Sequence, residues 1–171
     1  MINIIVVTGQ DGVGKTTIVN KLIEIYNAKT HHFMQPKNME DAKNDYYNFL
    51  NNITNGTYIL DRFYEGEMIY APLYRNYKMN YLNEMENYIK EKYNLVFIWV
   101  TADLEIILNR INVRGEDYVK STDHSKLKEL FDNFFKSQTM PYIKIDTSTI
   151  NLDDNINNIK KYLKEHNINE N

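Results

Sequence analysis

Gly9-Gln10-Asp11-Gly12-Val13-Gly14-Lys15-Thr16 decides the reading of this 171-residue chain. The stretch fits G-x-x-x-x-G-K-S/T, and its surroundings fit as well. An apolar, β-branched run, Ile2–Thr8, leads straight into it, and a segment with helical apolar spacing (Ile18, Leu22, Ile25) leaves it. Glycines here let successive backbone N–H groups wrap an anion without side chains intruding. The start of a helix adds partial positive charge. The lysine can reach the outer oxygens of a polyphosphate, and the following hydroxyl can ligate Mg2+. A strand, a phosphate-cradling loop and a helix are therefore expected over residues 2–26. The nucleotide-holding residues are Gly9, Gln10, Asp11, Gly12, Val13, Gly14, Lys15, Thr16 and Thr17.

Outward from this unit the pattern alternates. A weak strand is expected at His32–Gln35, stopped by Pro36, then a surface helix at Met39–Asn52. Asn55-Gly56 marks a turn into a buried strand, Thr57–Asp61. Glu67–Tyr93 reads as one long helix interrupted at Pro72, whose missing N–H breaks the ladder. Leu95–Thr101 is the clearest central strand and Asp103–Arg114 the next helix. A helix at Ser125–Lys136, a strand at Tyr142–Thr147 and a closing helix at Leu152–Glu165 complete the chain. Strands alternating with helices predict an α/β fold in three layers, a parallel sheet with helices on both faces. With no repeat or linker, one domain over residues 1–171 is expected.

Two charged segments carry further chemistry. Asp61-Arg62-Phe63-Tyr64 ends a buried strand, and in an open parallel sheet the site lies beyond the carboxyl ends of the strands. A carboxylate there can hold a Mg2+-bound water or take a proton from an attacking hydroxyl. Arg62 can fork onto a phosphate in a bidentate geometry that lysine cannot copy. Arg110 and Arg114 stand four apart on one helical face, ahead of Gly115 as a C-terminal stop. Held over a transferring phosphoryl group, such arginines lower the barrier electrostatically, and a mobile segment bearing them (about 110–121) excludes water. Arginine is notable because the chain holds 16 lysines and only 4 arginines, a drift we read as that of an AT-rich genome.

Composition excludes several classes. The net charge of -3 leaves no basic excess for general nucleic-acid binding. Zero cysteines rule out disulfides and thiolate zinc sites and suit a cytoplasmic protein. The apolar opening is too short to span a membrane. His31 and His32 lack partners at metal spacing, and Trp99 reads as core.

Assembled, these motifs resemble the thymidylate kinases among the nucleoside and nucleotide kinases, from the first strand to the last helix. The family's loop, G-x-D/E-G-x-G-K-S/T, is here GQDGVGKTT; its D-R-Y/F/H-x-x-S followed by A-Y-Q is here DRFYEGEMIYA; and the R-x-R-x-R-G-E lid of one subgroup is here RINVRGE. The resemblance implies a P-loop NTPase fold with a five-stranded parallel sheet in the order 2-3-1-4-5. It implies ATP and Mg2+ as cofactors, and a homodimer in the cytoplasm, that of a host cell if the gene is carried by a phage. Asp11 inherits the contact to the acceptor sugar's 3′-hydroxyl. The acceptor side is expected to use Asp11, Pro36, Arg62, Phe63, Tyr70 and Arg75; the chemistry Lys15, Asp61, Arg62, Arg110 and Arg114; the metal Thr16 and Asp61. Arg110 is also expected to contact the cofactor, and YIKIDTS suggests Asp146 and Thr147 near the adenine. Four departures stand out: Gly66 and Ala71 replace the family's serine and glutamine, Asn112 replaces the middle arginine of the lid, Met34-Gln35-Pro36 lacks the arginine of R-x-P, and no arginine lies between Lys37 and Tyr58.

The expected activity is phosphoryl transfer from ATP to a deoxynucleoside monophosphate, dTMP or a related pyrimidine. Two alternatives remain. A deoxynucleoside kinase would use Asp61 as general base on a 5′-hydroxyl. A non-catalytic nucleotide switch would want D-x-x-G and N-K-x-D elements, and neither occurs where it is needed.

Overall fold

The structure, a computed structural model, describes residues 2–115, 121–149 and 151–170. Residues 116–120 of the expected lid lie outside the described residues.

Five strands form one parallel sheet: β1 (Ile2–Thr8), β2 (Lys29–His31), β3 (Thr57–Asp61), β4 (Tyr93–Thr101) and β5 (Tyr142–Asp146). Their order is β2-β3-β1-β4-β5, the order expected of a P-loop kinase fold. The alternation of side chains along the strands splits the core in two. Ile4, Val6, Leu60, Phe97 and Trp99 face one way, toward α2 (Met39–Asn52), α3 (Tyr64–Tyr74), α4 (Leu82–Lys92) and α6 (His124–Ser137). Ile5, Val7, Ile59, Ile98 and Val100 face the other, toward α1 (Lys15–Tyr26), α5 (Leu104–Arg114) and α7 (Leu152–Glu165). Strands buried on both faces explain why they read as continuous apolar runs. Trp99 stacks on Phe135 with ring centroids 4.8 Å apart, a core role as expected.

Register brings the chemistry to one edge. Val7 pairs with Asp61, Thr8 with Trp99, and Thr101 with Asp146, so the loop after β1 and the acid of β3 open on the same side as the end of β5.

Two expectations need correction. The second strand is Lys29–His31, not His32–Gln35. Helix α1 closes on Asn27 in the left-handed conformation (φ 44°), and the chain pairs with β3 at once, Lys29 opposite Tyr58. All three residues of this edge strand are exposed, so no buried alternation signalled it. The long helix is two, and the break is not at Pro72, which sits inside α3. The Arg75 N–H still reaches the Ala71 carbonyl, and the turn comes at Asn76 with φ 56°. Among the described residues no helix is long and apolar enough to cross a membrane.

Candidate active site

The loop between β1 and α1 is built as its glycines require. Gly9, Gly12 and Gly14 have φ of 146°, 80° and 91°, which L side chains rarely adopt. A Cβ on Gly9 would stand 2.2 Å from the Val100 carbonyl oxygen, so the loop lies directly on β4.

Lys15 opens α1 and is only 7% exposed. Its amine donates to the Gln10 carbonyl at 2.8 Å and lies 3.8 Å from Asp11 Oδ1. Burial, helped by the nearby Arg62 charge and opposed by Asp11 and Asp61, pushes this amine down to about 7. Thr16 and Thr17 follow, exposed on the open side of the loop.

Asp11 and Arg62, fifty-one positions apart, meet at the loop's mouth: Arg62 donates to Asp11 Oδ1 at 2.6 Å. The same guanidinium lies 5.2 Å over the Tyr70 ring, and its Nε is buried with no hydrogen-bond partner among the described residues. Burial alone would raise Asp11, but Arg62 and Lys15 outweigh it and hold the carboxyl below its usual range. Arg62 itself takes φ 67°, a left-handed turn that swings its side chain from the end of β3 toward the loop. Asp61, just before it, is exposed at the strand end.

Sequence reasoning missed Glu65, which is fully buried in the first turn of α3. Both of its carboxylate oxygens accept from the Phe63 N–H at 3.0 Å, tying down the backbone that carries Arg62. Burial raises this carboxyl, with the Thr8 hydroxyl and the Phe63 amide pulling the other way. The available signal was an acid beside a helix start, where it can answer unpaired N–H groups.

Arg110 and Arg114 separate. Arg110 donates to the Thr147 hydroxyl at 2.9 Å and carbonyl at 3.0 Å and to the Gly12 carbonyl at 3.3 Å, bracing the glycine loop against the turn after β5. Arg114 is exposed, and its charge acts on Asp11 and Lys15. Arg110, Gly14, Thr17, Ile18, Thr147 and Leu152 line a cavity of about 390 Å³ on one side of the loop. On the other side a cleft of about 180 Å³ holds Pro36, Asp61, Arg62, Phe63, Tyr70 and Arg75 together. A larger cavity of about 610 Å³, between α3, α4 and α6, contains none of these residues. We place the site by its charges and backbone geometry rather than by size.

One cleft borders the glycine loop through Gly14 and Thr17, and the other reaches it through Arg62, which contacts Asp11. Mg2+ keeps most of its waters and takes one or two protein oxygens plus phosphate oxygens. The Thr16 hydroxyl at the start of α1 and the Asp61 carboxylate at the end of β3 are both exposed and are oxygens of that kind.

No protein-family model matches the chain. The SPbeta prophage-derived protein YorR of Bacillus subtilis is 28% identical over an alignment of 134 residues that covers 75% of this chain and 79% of YorR. The crystal structure of YorR in complex with phosphorylated GDP superposes with a TM-score of 0.77 at 24% identity, covering 96% of this chain and 98% of YorR. Deoxyadenosine kinase from M. mycoides with bound dATP gives 0.65 at 15% identity over 94% of this chain and 98% of the kinase. These likenesses establish the fold, an all-parallel five-stranded P-loop-like kinase architecture.

Proposed function

We propose that this chain transfers a phosphoryl group from ATP, with Mg2+, to a deoxynucleoside monophosphate, giving the diphosphate. The motif resemblance points to dTMP or a related pyrimidine as acceptor. One observation carries the reading: the loop acid Asp11 and the strand-end Arg62 meet at 2.6 Å, with Arg62 lining one cleft and Gly14 of the same loop lining the other. A monophosphate acceptor offers a 3′-hydroxyl for the first and a dianion for the second, and needs no base to deprotonate it. The prophage origin of the YorR relative supports a gene of the kind phages carry.

In this reading the backbone of Gly9–Thr16 and the Lys15 amine hold the donor's phosphates, while Arg110 and Thr147 border its base. When bound, ATP supplies the phosphoryl group and Mg2+ neutralises charge on its oxygens. Arg62 grips the acceptor phosphate, Asp11 orients the sugar, and Phe63 and Tyr70 wall the acceptor base. Arg114 stands where its charge can follow the transferring group. The motif resemblance further points to a homodimer.

The shared fold with deoxyadenosine kinase supports a second reading, a nucleoside acceptor with Asp61 as general base. Steady-state rates with dNMPs and with the matching deoxynucleosides separate the two. A dNMP should be the better substrate by kcat/KM; preference for a nucleoside would replace the first reading by the second.

The Lys15 amine adds a pH signature. Phosphates are held by the protonated form, and in the free enzyme that form is lost as pH rises through about 7. We expect kcat/KM for ATP to decline above that pH while kcat, which reports the loaded enzyme, stays level to higher pH. Lys15→Arg should remove the decline. A flat kcat/KM profile from pH 6 to 9 in the wild type would refute this account of Lys15.

A further inference from the structure

The acceptor cleft contains a buried ion pair that joins Arg75, expected on the acceptor side, to Glu67, for which the chemistry above has no use. Glu67, 2% exposed, receives Arg75 at 2.6 Å on one carboxylate oxygen and the Tyr77 hydroxyl on the other. Arg75 Nε is buried without a hydrogen-bond partner among the described residues. Both residues line the cleft that has Arg62 and Asp61 in its wall, alongside Phe33, Tyr46 and Phe63. Phe33 and Phe63 stack there with centroids 5.3 Å apart, an aromatic wall of the sort a flat base packs against.

Charge in such a place is costly. Taking two ions out of water costs as much as their attraction returns, and an apolar pair of the same volume would serve stability as well or better. A pair kept at the end of a ligand cleft, with donor capacity unspent, fits recognition better than scaffolding. We propose, building on the acceptor cleft assigned above, that Glu67 and Arg75 read the acceptor's base and select one carrying an exocyclic amine, cytosine among the pyrimidines, over thymine.

The reason lies in donor and acceptor order. A recessed carboxylate can only accept, and an exocyclic amine projects an N–H beyond the ring to meet it. The adjacent guanidinium then answers a neighbouring ring nitrogen or carbonyl. Thymine's one N–H is flanked by two carbonyl oxygens, so a carboxylate approaching it in the plane also meets negative oxygen. A site built to pair a polar group discriminates strongly against a base that leaves it unpaired. The inference moves the acceptor from thymine, to which the motifs alone point, to its amino-bearing relative.

The test measures kcat/KM for dCMP, dAMP, dGMP and dTMP, and for the same bases as deoxynucleosides, in wild type and Glu67→Gln. The best amino-bearing acceptor should exceed dTMP by at least ~10-fold, and Glu67→Gln, which turns a pure acceptor into a mixed amide, should narrow that ratio by ~10-fold or more. A wild type that prefers thymine, or a ratio unmoved by Glu67→Gln, overturns the proposal and leaves the pair as a brace between α3 and the turn after it. If Glu67→Gln fails to fold, Tyr77→Phe removes one hydrogen bond from the carboxylate and should narrow the ratio about 3-fold; an unchanged ratio again overturns it. Base order and phosphorylation level are read separately, so nucleosides replacing monophosphates would end the monophosphate reading without touching this one. With no turnover at all, calorimetric binding decides: dCMP tighter than dTMP supports the proposal, and the reverse order overturns it.

Discussion

Lys15→Ala should lower turnover by at least ~100-fold, because a preorganised positive charge aimed at the transferring group is lost. The amine is held 2.8 Å from the Gln10 carbonyl, in a loop that Gly9, Gly12 and Gly14 close at positive φ. Unfolding should not account for the loss. The folded value near 7 lies below the ordinary 10.5, so the unfolded chain binds the extra proton between those limits. Charged Lys15 therefore weighs against the fold below pH 7, and that burden lifts as pH rises toward 10.5. Removing it should leave the thermal midpoint at pH 6 unchanged or higher. Near-normal turnover in a folded Lys15→Ala protein would end the assignment of this loop to catalysis.

Arg62→Ala carries the second large effect, and it should fall on the acceptor. A bidentate guanidinium–phosphate contact is made in ground and transition states alike, so its loss raises KM for the acceptor more than it lowers kcat. Hydrogen bonds to charged groups contribute roughly 1.5–3 kcal/mol, so a KM increase of about 10- to 100-fold is expected. ATP affinity should change little. A second readout tests the electrostatics independently: Arg62 is one of the charges holding the Lys15 amine down, so without it the decline of kcat/KM for ATP should move to higher pH. Equal losses for ATP and acceptor, with no shift in the profile, would make Arg62 a general structural support instead.

How much of this was legible beforehand differs between fold and site. Strands β1, β3 and β4 lie between layers of helices and show as apolar runs, and the helices that cover them show the 3.6-residue spacing. The phosphate loop was legible because its constraint is local: a backbone at positive φ demands glycine at fixed intervals. Strand β2 was misplaced because an exposed three-residue edge carries no burial pattern. Its position depends on pairing with β3, twenty-nine residues on from Lys29 to Tyr58. The helix break was misplaced because proline is a local cue, whereas the actual turn follows the point where Arg75 reaches back to Glu67.

The sequence by itself determined the class of fold, the glycine loop between the first strand and the first helix, and the residue types that gather at the carboxyl edge of the sheet. Only the tertiary structure decided which charges face one another. It set Asp11 against Arg62, Arg110 against Thr147 thirty-seven residues away, Glu65 beneath the turn that carries Arg62, and Glu67 with Arg75 inside the cleft that Arg62 also lines. Periodicity and backbone conformation are properties of neighbours along the chain, so they survive in one dimension. The partner of a buried charge is set by how helices and strands pack in three, and desolvation makes that partner matter most where the sequence says least about it.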